Sequence, residues 1–78
     1  MKVVFLPQAQ ADLDEIKEPL LSGIRKRLAA LGAYPSLGSP LFSPLGAYRA
    51  TVVGQFRIVY KQTPRALEIC YIRDCRRS

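Results

Sequence analysis

This sequence contains no histidine and no tryptophan, one methionine, two cysteines, and half as many acidic side chains as basic ones. Each shortage excludes something. Without histidine, the commonest metal ligand and the only side chain that titrates unperturbed near neutral pH are both missing. Cys70 and Cys75 cannot form a disulfide framework. On a continuous strand at ~3.3 Å per residue their α-carbons would stand roughly 16 Å apart, too far to bridge. They also lack metal-ligand spacing, so both are expected as reduced thiols in a cytosolic protein, with no metal and no cofactor. No apolar run approaches ~18 residues, and MKVVFLP is too short and lacks the cleavage site of a signal peptide. The expectation is a soluble, intracellular protein with no membrane partner. No repeat at solenoid period appears. A chain of 78 residues buries only roughly 60–65% of the surface its unfolded form exposes, so one domain, 1–78, is expected.

What the chain does have is basic charge, unevenly placed. Residues 1–47 carry five basic and four acidic side chains, and residues 48–78 carry seven basic and two acidic. The halves are therefore +1 and +5, which together give the net +6. A field concentrated in one half points to a polyanionic partner: nucleic acid, a ribosome or an acidic protein.

Val3-Val4-Phe5-Leu6 is a β-branched and aromatic run ended by Pro7, and predicts a first strand. Pro7 suits the first position of a helix, with Leu6 as an N-cap that has no side-chain acceptor. Ala9, Leu13, Ile16 and Leu20 recur at helical spacing. Pro19 interrupts that stripe, so the spacing predicts a helix over 7–17 and a second one from Pro19. The second stripe is Leu20 or Leu21, Ile24, Leu28 and Leu31, with Gly32 expected as a left-handed C-cap. Arg25, Lys26 and Arg27 are expected on its outer face. Asp12, Asp14, Glu15 and Glu18 read as the solvated face of the first helix.

Residues 32–47 hold three prolines, three glycines and three serines, a composition that predicts a connecting loop without regular structure. Its Leu37, Leu41, Phe42 and Leu45 are too many apolar residues for a free linker. Strands are predicted at Tyr48–Val53, Phe56–Lys61 and Ala66–Arg73. Gly54-Gln55 fits a two-residue hairpin turn, and Thr63-Pro64-Arg65 the next turn. The order is strand, helical hairpin, then a three-stranded antiparallel meander: an α+β domain with helices packed on one face of a small, mostly antiparallel sheet.

The hairpin turn fixes strand parity. It pairs Val53 with Phe56, Thr51 with Ile58 and Arg49 with Tyr60, placing Phe56, Ile58 and Tyr60 beneath the helices. Tyr48, Val52, Arg57, Val59 and Lys61 then share the other face. Arg49 falls on the helix side unless a bulge shifts the register.

Three segments resemble the RelE/ParE superfamily of bacterial type II toxins. Residues 3–16 resemble its opening strand and A-x-x-D-L-x-x-I helix. Gly46-Ala47-Tyr48-Arg49 and Val53-Gly54-Gln55-Phe56-Arg57-Ile58-Val59-Tyr60 resemble its G-x-Y-R and V-G-x-Y-R-[IV]-V-Y hairpin. Ile72-Arg73-Asp74-Cys75-Arg76-Arg77 resembles the closing strand and its basic I-x-H-G-R-R end, with Asp74 and Cys75 where histidine and glycine are usual. The sequence ends at Ser78 without the C-terminal tyrosine that several ribosome-dependent nucleases of the superfamily use.

The resemblance implies a growth-inhibiting toxin of a toxin–antitoxin, plasmid-stabilising system. One branch of the superfamily cuts mRNA on the ribosome without a metal, as an mRNA interferase, and the resemblance makes this the leading expectation for the chain. The 2′-hydroxyl attacks the neighbouring phosphate, so a base, a charge stabiliser and a leaving-group acid are wanted. Arg57 and Arg77 match the superfamily's charge-stabilising positions, and the general base would be Lys61 or a tyrosine such as Tyr48, either one needing a shifted pKa. Arg49, Arg73, Arg76 and Tyr48 are the implied RNA- or target-binding residues. The other branch, ParE-like, binds and poisons DNA gyrase without catalysis, and a degenerate toxin would bind only its antitoxin. All three readings imply a small acidic antitoxin, for which Leu41 and Phe42 are the implied docking residues.

Overall fold

The structure is a computed structural model and describes residues 1–41 and 47–76. The elements in chain order are β1 (Val3–Phe5), α1 (Pro7–Asp14), α2 (Leu20–Ala33), a 3-10 turn (Pro35–Leu37), β2 (Ser39–Pro40), β3 (Tyr48–Val53), β4 (Phe56–Gln62) and β5 (Leu67–Asp74). The sheet order is β1-β5-β4-β3-β2. Only the β1–β5 pair is parallel, with Val3 opposite Leu67 and Phe5 opposite Ile69. This is the α+β architecture the hydropathy pattern predicts, with one strand more.

That extra strand corrects the reading of 32–47 as irregular throughout. Ser39 pairs with Ala50 and Pro40 with Arg49, so β2 is a two-residue outer strand. Proline is tolerated there because an edge strand has a side that needs no donor.

α1 starts on Pro7 with Leu6 as an N-cap that makes no side-chain hydrogen bond. It ends at Asp14 rather than at residue 17, and a tightened turn follows, in which the Ile16 N–H donates to the Leu13 carbonyl at 3.1 Å. Ala9, Leu13 and Ile16 are buried, whereas Leu20 is exposed and Leu21 packs on the core in its place. α2 contributes Ile24, Leu28 and Leu31 to the same core, against Ile58, Tyr60, Leu67, Ile69 and Ile72 of the sheet. Full burial of each such aliphatic side chain contributes roughly 1.5–3 kcal/mol.

Gly32 is not a left-handed cap. The helix continues to Ala33, and among the described glycines only Gly54 has positive φ. Gly32 is needed for space: a Cβ there would lie 3.1 Å from Val3 Cγ2 and 3.3 Å from the Met1 carbonyl. The terminal amine of Met1 donates to the Gly32 carbonyl at 2.9 Å, tying the chain start to the end of α2.

The start of α2 is capped from one turn back. Pro19, at the N-cap, has no acceptor, but Glu18 accepts from the Ser22 N–H at 2.9 Å and the Ser22 hydroxyl at 2.6 Å. The Ser22 hydroxyl, then the Ser22 N–H, hold the Glu18 carboxyl below its ordinary value. A depressed carboxylate stabilises the fold above its unfolded pKa and loses that contribution as pH falls through the folded value. Glu18→Gln is therefore expected to melt below wild type at pH 7 and to converge with it in acid, once pH has fallen through the lowered value of the folded carboxyl, as followed by circular dichroism.

Candidate functional site

The helices cover one face of the sheet, and among the described residues no helix lies on the other. The parity read from the hairpin is the observed one: Val53 pairs with Phe56, Thr51 with Ile58 and Arg49 with Tyr60. Gly54, with φ of 58°, supplies the left-handed residue this turn requires. Tyr48, Ala50 and Val52 of β3, and Arg57, Val59 and Lys61 of β4, therefore face away from the helices.

β5 completes this face through a bulge that the sequence does not announce. Val59 pairs with Tyr71 but Tyr60 pairs with Ile69, leaving Cys70 as the extra residue. Because side chains alternate with period two, one inserted residue reverses the facing of everything beyond it. Glu68 lies on the open face before the bulge, and Tyr71 and Arg73 lie on it after. Without the bulge, Tyr71 and Arg73 would point under the helices.

The result is a strip of cations set among aromatic rings. Arg57 stands directly across the ladder from Arg73. Arg73 lies over the Tyr71 ring, 4.7 Å from its centroid, and Lys61 over the Tyr48 ring at 5.6 Å, both within cation–π range. Like charges directly opposite on a sheet are destabilising. Among the described residues, neither Arg57 nor Arg73 forms an ion pair that would offset this. Glu68 faces Lys61 rather than Arg57. A surface with two arginines opposite each other on neighbouring strands, neither in an ion pair among the described residues, is suited to holding an anionic group.

The remaining predicted site residues fall elsewhere. Arg49 lies on the helix side, where its Nη1 donates to the Gly38 carbonyl at 2.7 Å. That contact holds the segment before β2 against the sheet. Arg76 is exposed beyond β5, its Nε 3.7 Å from Asp74 Oδ1 and its N–H donating to the same oxygen at 2.9 Å. Asp74 also accepts from Gln55 Nε2 at 2.8 Å, and the Cys75 N–H donates to the Gln55 carbonyl at 2.7 Å. Asp74 thus fastens the end of β5 to the β3–β4 turn. Leu41 is half-buried at the edge of the sheet. Arg77 and Phe42 lie outside the described residues.

Two side chains read as solvated prove to be structural. Asp12 is half-buried and its Oδ2 accepts from the Ile72 N–H at 2.9 Å. β1 pairs with β5 only as far as Ile69, so a carboxylate from α1 takes the place of the missing strand. Arg27 is half-buried and reaches across the helix–sheet interface, its Nη1 donating to Thr51 Oγ1 at 2.5 Å, while Arg25 and Lys26 stay exposed. Both cysteines are free; burial, then Glu68, pushes the Cys70 thiol up, and Cys75 is exposed. Among the described residues, no cluster of three or more carboxylate or thiol side chains stands close enough to hold a metal ion. No helix among them is long and apolar enough to cross a membrane.

This two-helix, five-stranded, mostly antiparallel α+β fold is the RelE/ParE-like one, as the solved structures it resembles show. The toxin–antitoxin complex RelBE2 from Mycobacterium tuberculosis is similar over 94% of this chain and 95% of that one, with a TM-score of 0.82 at 21% identity. The isolated E. coli RelE toxin gives a TM-score of 0.84 at 12% identity, over 99% of this chain and 86% of that one. The chromosomal ParDE system from P. aeruginosa gives 0.75 at 17% identity, over 95% of both chains. No curated protein sequence matches this one. The model of the family described as ParE toxin of type II toxin–antitoxin system, parDE, matches residues 3–78, and the chain belongs to that family.

Proposed function

We propose that this toxin acts by binding, as a ParE-like poison of DNA gyrase, and that its open sheet face makes the contact. The observation that carries this is the make-up of that face. Arg57, Arg73, Lys61, Tyr48 and Tyr71 supply cations and flat apolar surface, which are the means of recognising an anionic macromolecular surface. The family match over 3–78 supports the same branch. Strand cleavage would need more. In a chain with no histidine, the general base would have to be Lys61, Glu68 or a tyrosine.

The experiment is a supercoiling assay with purified protein. Gyrase is expected to lose supercoiling activity as toxin is added, and cells expressing the toxin to show SOS induction. Unaffected gyrase would overturn the reading. One observation favours a second reading, ribosome-dependent mRNA cleavage: the Arg57–Arg73 pair is disposed to hold a phosphoryl group. New mRNA ends in primer extension, with gyrase untouched, are the outcome that reading expects. In either case the toxin is paired with a small acidic antitoxin, as the similarity to solved toxin–antitoxin complexes supports. Co-expression with an adjacent small acidic reading frame is expected to yield a complex that co-purifies.

A further inference from the structure

The open face carries a single acid among its cations. Of the six acidic side chains in the chain, Asp12 and Asp14 belong to α1, Glu15 and Glu18 lie between the helices, and Asp74 pairs with Phe56 on the helix side. Glu68 is the sixth. Its neighbours Leu67 and Ile69 are fully buried in the core, so alternation turns Glu68 to the other face, between Val4 of β1 and Lys61 of β4. It is half-buried there and forms no ion pair among the described residues. Lys61, directly opposite, lies over the Tyr48 ring. The Lys61–Glu68 pair stands four residues along β4 from the Arg57–Arg73 pair, about 13 Å away. Val59 and Tyr71 lie between them. The strip therefore has a doubly cationic end, an apolar middle and an end where the charges cancel.

We infer that Glu68 sets the class of partner this face accepts: it turns nucleic acid away and selects a protein surface that brings a carboxylate to Arg57 and Arg73 and a hydrogen-bond donor to Glu68. The inference deepens the reading of this toxin as one that acts by binding a protein, and rests on it. Attraction across the ladder to Lys61 contributes little, since pairs near the surface are screened by water. The larger effect of an acid set among cations is on what the face can bind. Nucleic acid carries charge of one sign at short, regular spacing, about 3.4 Å per phosphate on each strand of a duplex. A strand laid along the strip sets a phosphate against Glu68, where like charges repel. A folded protein surface carries both signs. It can place a carboxylate at the arginine end, an apolar side chain on Tyr71 and an amine or amide at Glu68.

The test uses full-length toxin, purified gyrase and fluorescein-labelled oligothymidylate. Glu68→Gln keeps the size of the side chain and is expected to tighten oligothymidylate binding by about threefold, read by anisotropy. Glu68→Lys is expected to tighten it by about tenfold or more, with a steeper fall in affinity as salt is raised. In the supercoiling assay, Glu68→Gln is expected to need about three times as much toxin for the same inhibition, so the preference between the two partners shifts in opposite directions. Asp14→Asn makes the same change in net charge at an exposed site on α1 and is expected to move neither readout. Unchanged oligothymidylate affinity in Glu68→Gln, an equal gain in Asp14→Asn, or gyrase inhibition undiminished by Glu68→Gln would overturn the proposal. So would a lower melting temperature in Glu68→Gln with no gain in oligothymidylate binding, since the carboxylate would then serve only the fold. If wild-type toxin leaves gyrase untouched, the reading of its target fails, and the oligothymidylate comparison still decides whether Glu68 turns nucleic acid away. If gyrase is inhibited and that comparison is flat, only the role of Glu68 fails.

Discussion

Arg57→Gln combined with Arg73→Gln is expected to abolish growth arrest on induction while leaving the protein as stable as wild type or slightly more so. The two arginines stand opposite each other on β4 and β5, and both are exposed. Their role in folding is unfavourable, because like charges directly opposite cost about 0.2–1 kcal/mol on a sheet. Their role in target binding is the reverse. Truncating one member of a hydrogen-bonded charge pair at an interface costs about 2–5 kcal/mol, a loss of at least roughly thirtyfold in affinity for each single change. The melting temperature and the growth curve are thus predicted to move independently. Variants that still arrest growth would show that the open face is not the working surface. Variants that arrest nothing because they are unfolded would be exposed by the melt.

Gly38→Ala is expected to destabilise the fold by about 2–6 kcal/mol, a large effect for a single methyl group. Gly38 has φ of −78° and ψ of 164°, an ordinary extended conformation, so alanine is not excluded by the backbone. It is excluded by what surrounds it. An added Cβ would lie 2.6 Å from the Tyr60 hydroxyl, 2.8 Å from the Ala50 carbonyl and 2.9 Å from Tyr60 Cε1. None of these can yield easily. Tyr60 is fully buried, accepts from the Gly38 N–H at 2.8 Å and donates to the Pro35 carbonyl at 2.7 Å. Overpacking here costs about 1–3 kcal/mol, and displacing a buried hydroxyl from its partners about as much again. For a domain of this size that corresponds to a fall of roughly 10–30 °C in melting temperature. Tyr60→Phe removes the nearest atom but also both hydrogen bonds, so it is destabilising alone. In a double-mutant cycle it should recover only part of the Gly38→Ala loss, because the Ala50 carbonyl remains in the way.

The parts of this molecule that could be read from its sequence are those written in short-range periodicity. The Ala9–Leu13–Ile16 stripe, the start on Pro7 and the Gly54 turn each depend on neighbours a few residues away. So does the facing of Arg57 and Lys61, which follows once Gly54-Gln55 is taken as the turn. What could not be read depends on contacts made across the chain. The Cys70 bulge leaves no compositional trace, yet it decides the face of Tyr71 and Arg73. Asp12 looks like any acid on a solvated helix, because its partner, the Ile72 N–H, lies 60 residues away. Gly38 and Pro40 have the composition of a loop, and they form an edge strand only because Arg49 and Tyr60 hold that segment in place. Gly32 looks like a helix terminator, and its actual constraint is the closeness of Val3 and Met1.

The parallel pairing of the first strand with the last has a consequence for synthesis. Val3 finds its partner only at Leu67, 67 − 3 = 64 residues later. Until that residue has been made, β1 has no ladder to join and α1 has no Ile72 N–H to cap. Arg73 is made later still, so the pair it forms with Arg57 is the last part of the face to exist. Contacts between distant positions form slowly because the intervening loop must first be closed. A nascent chain therefore has no complete basic face until Arg73 has been made.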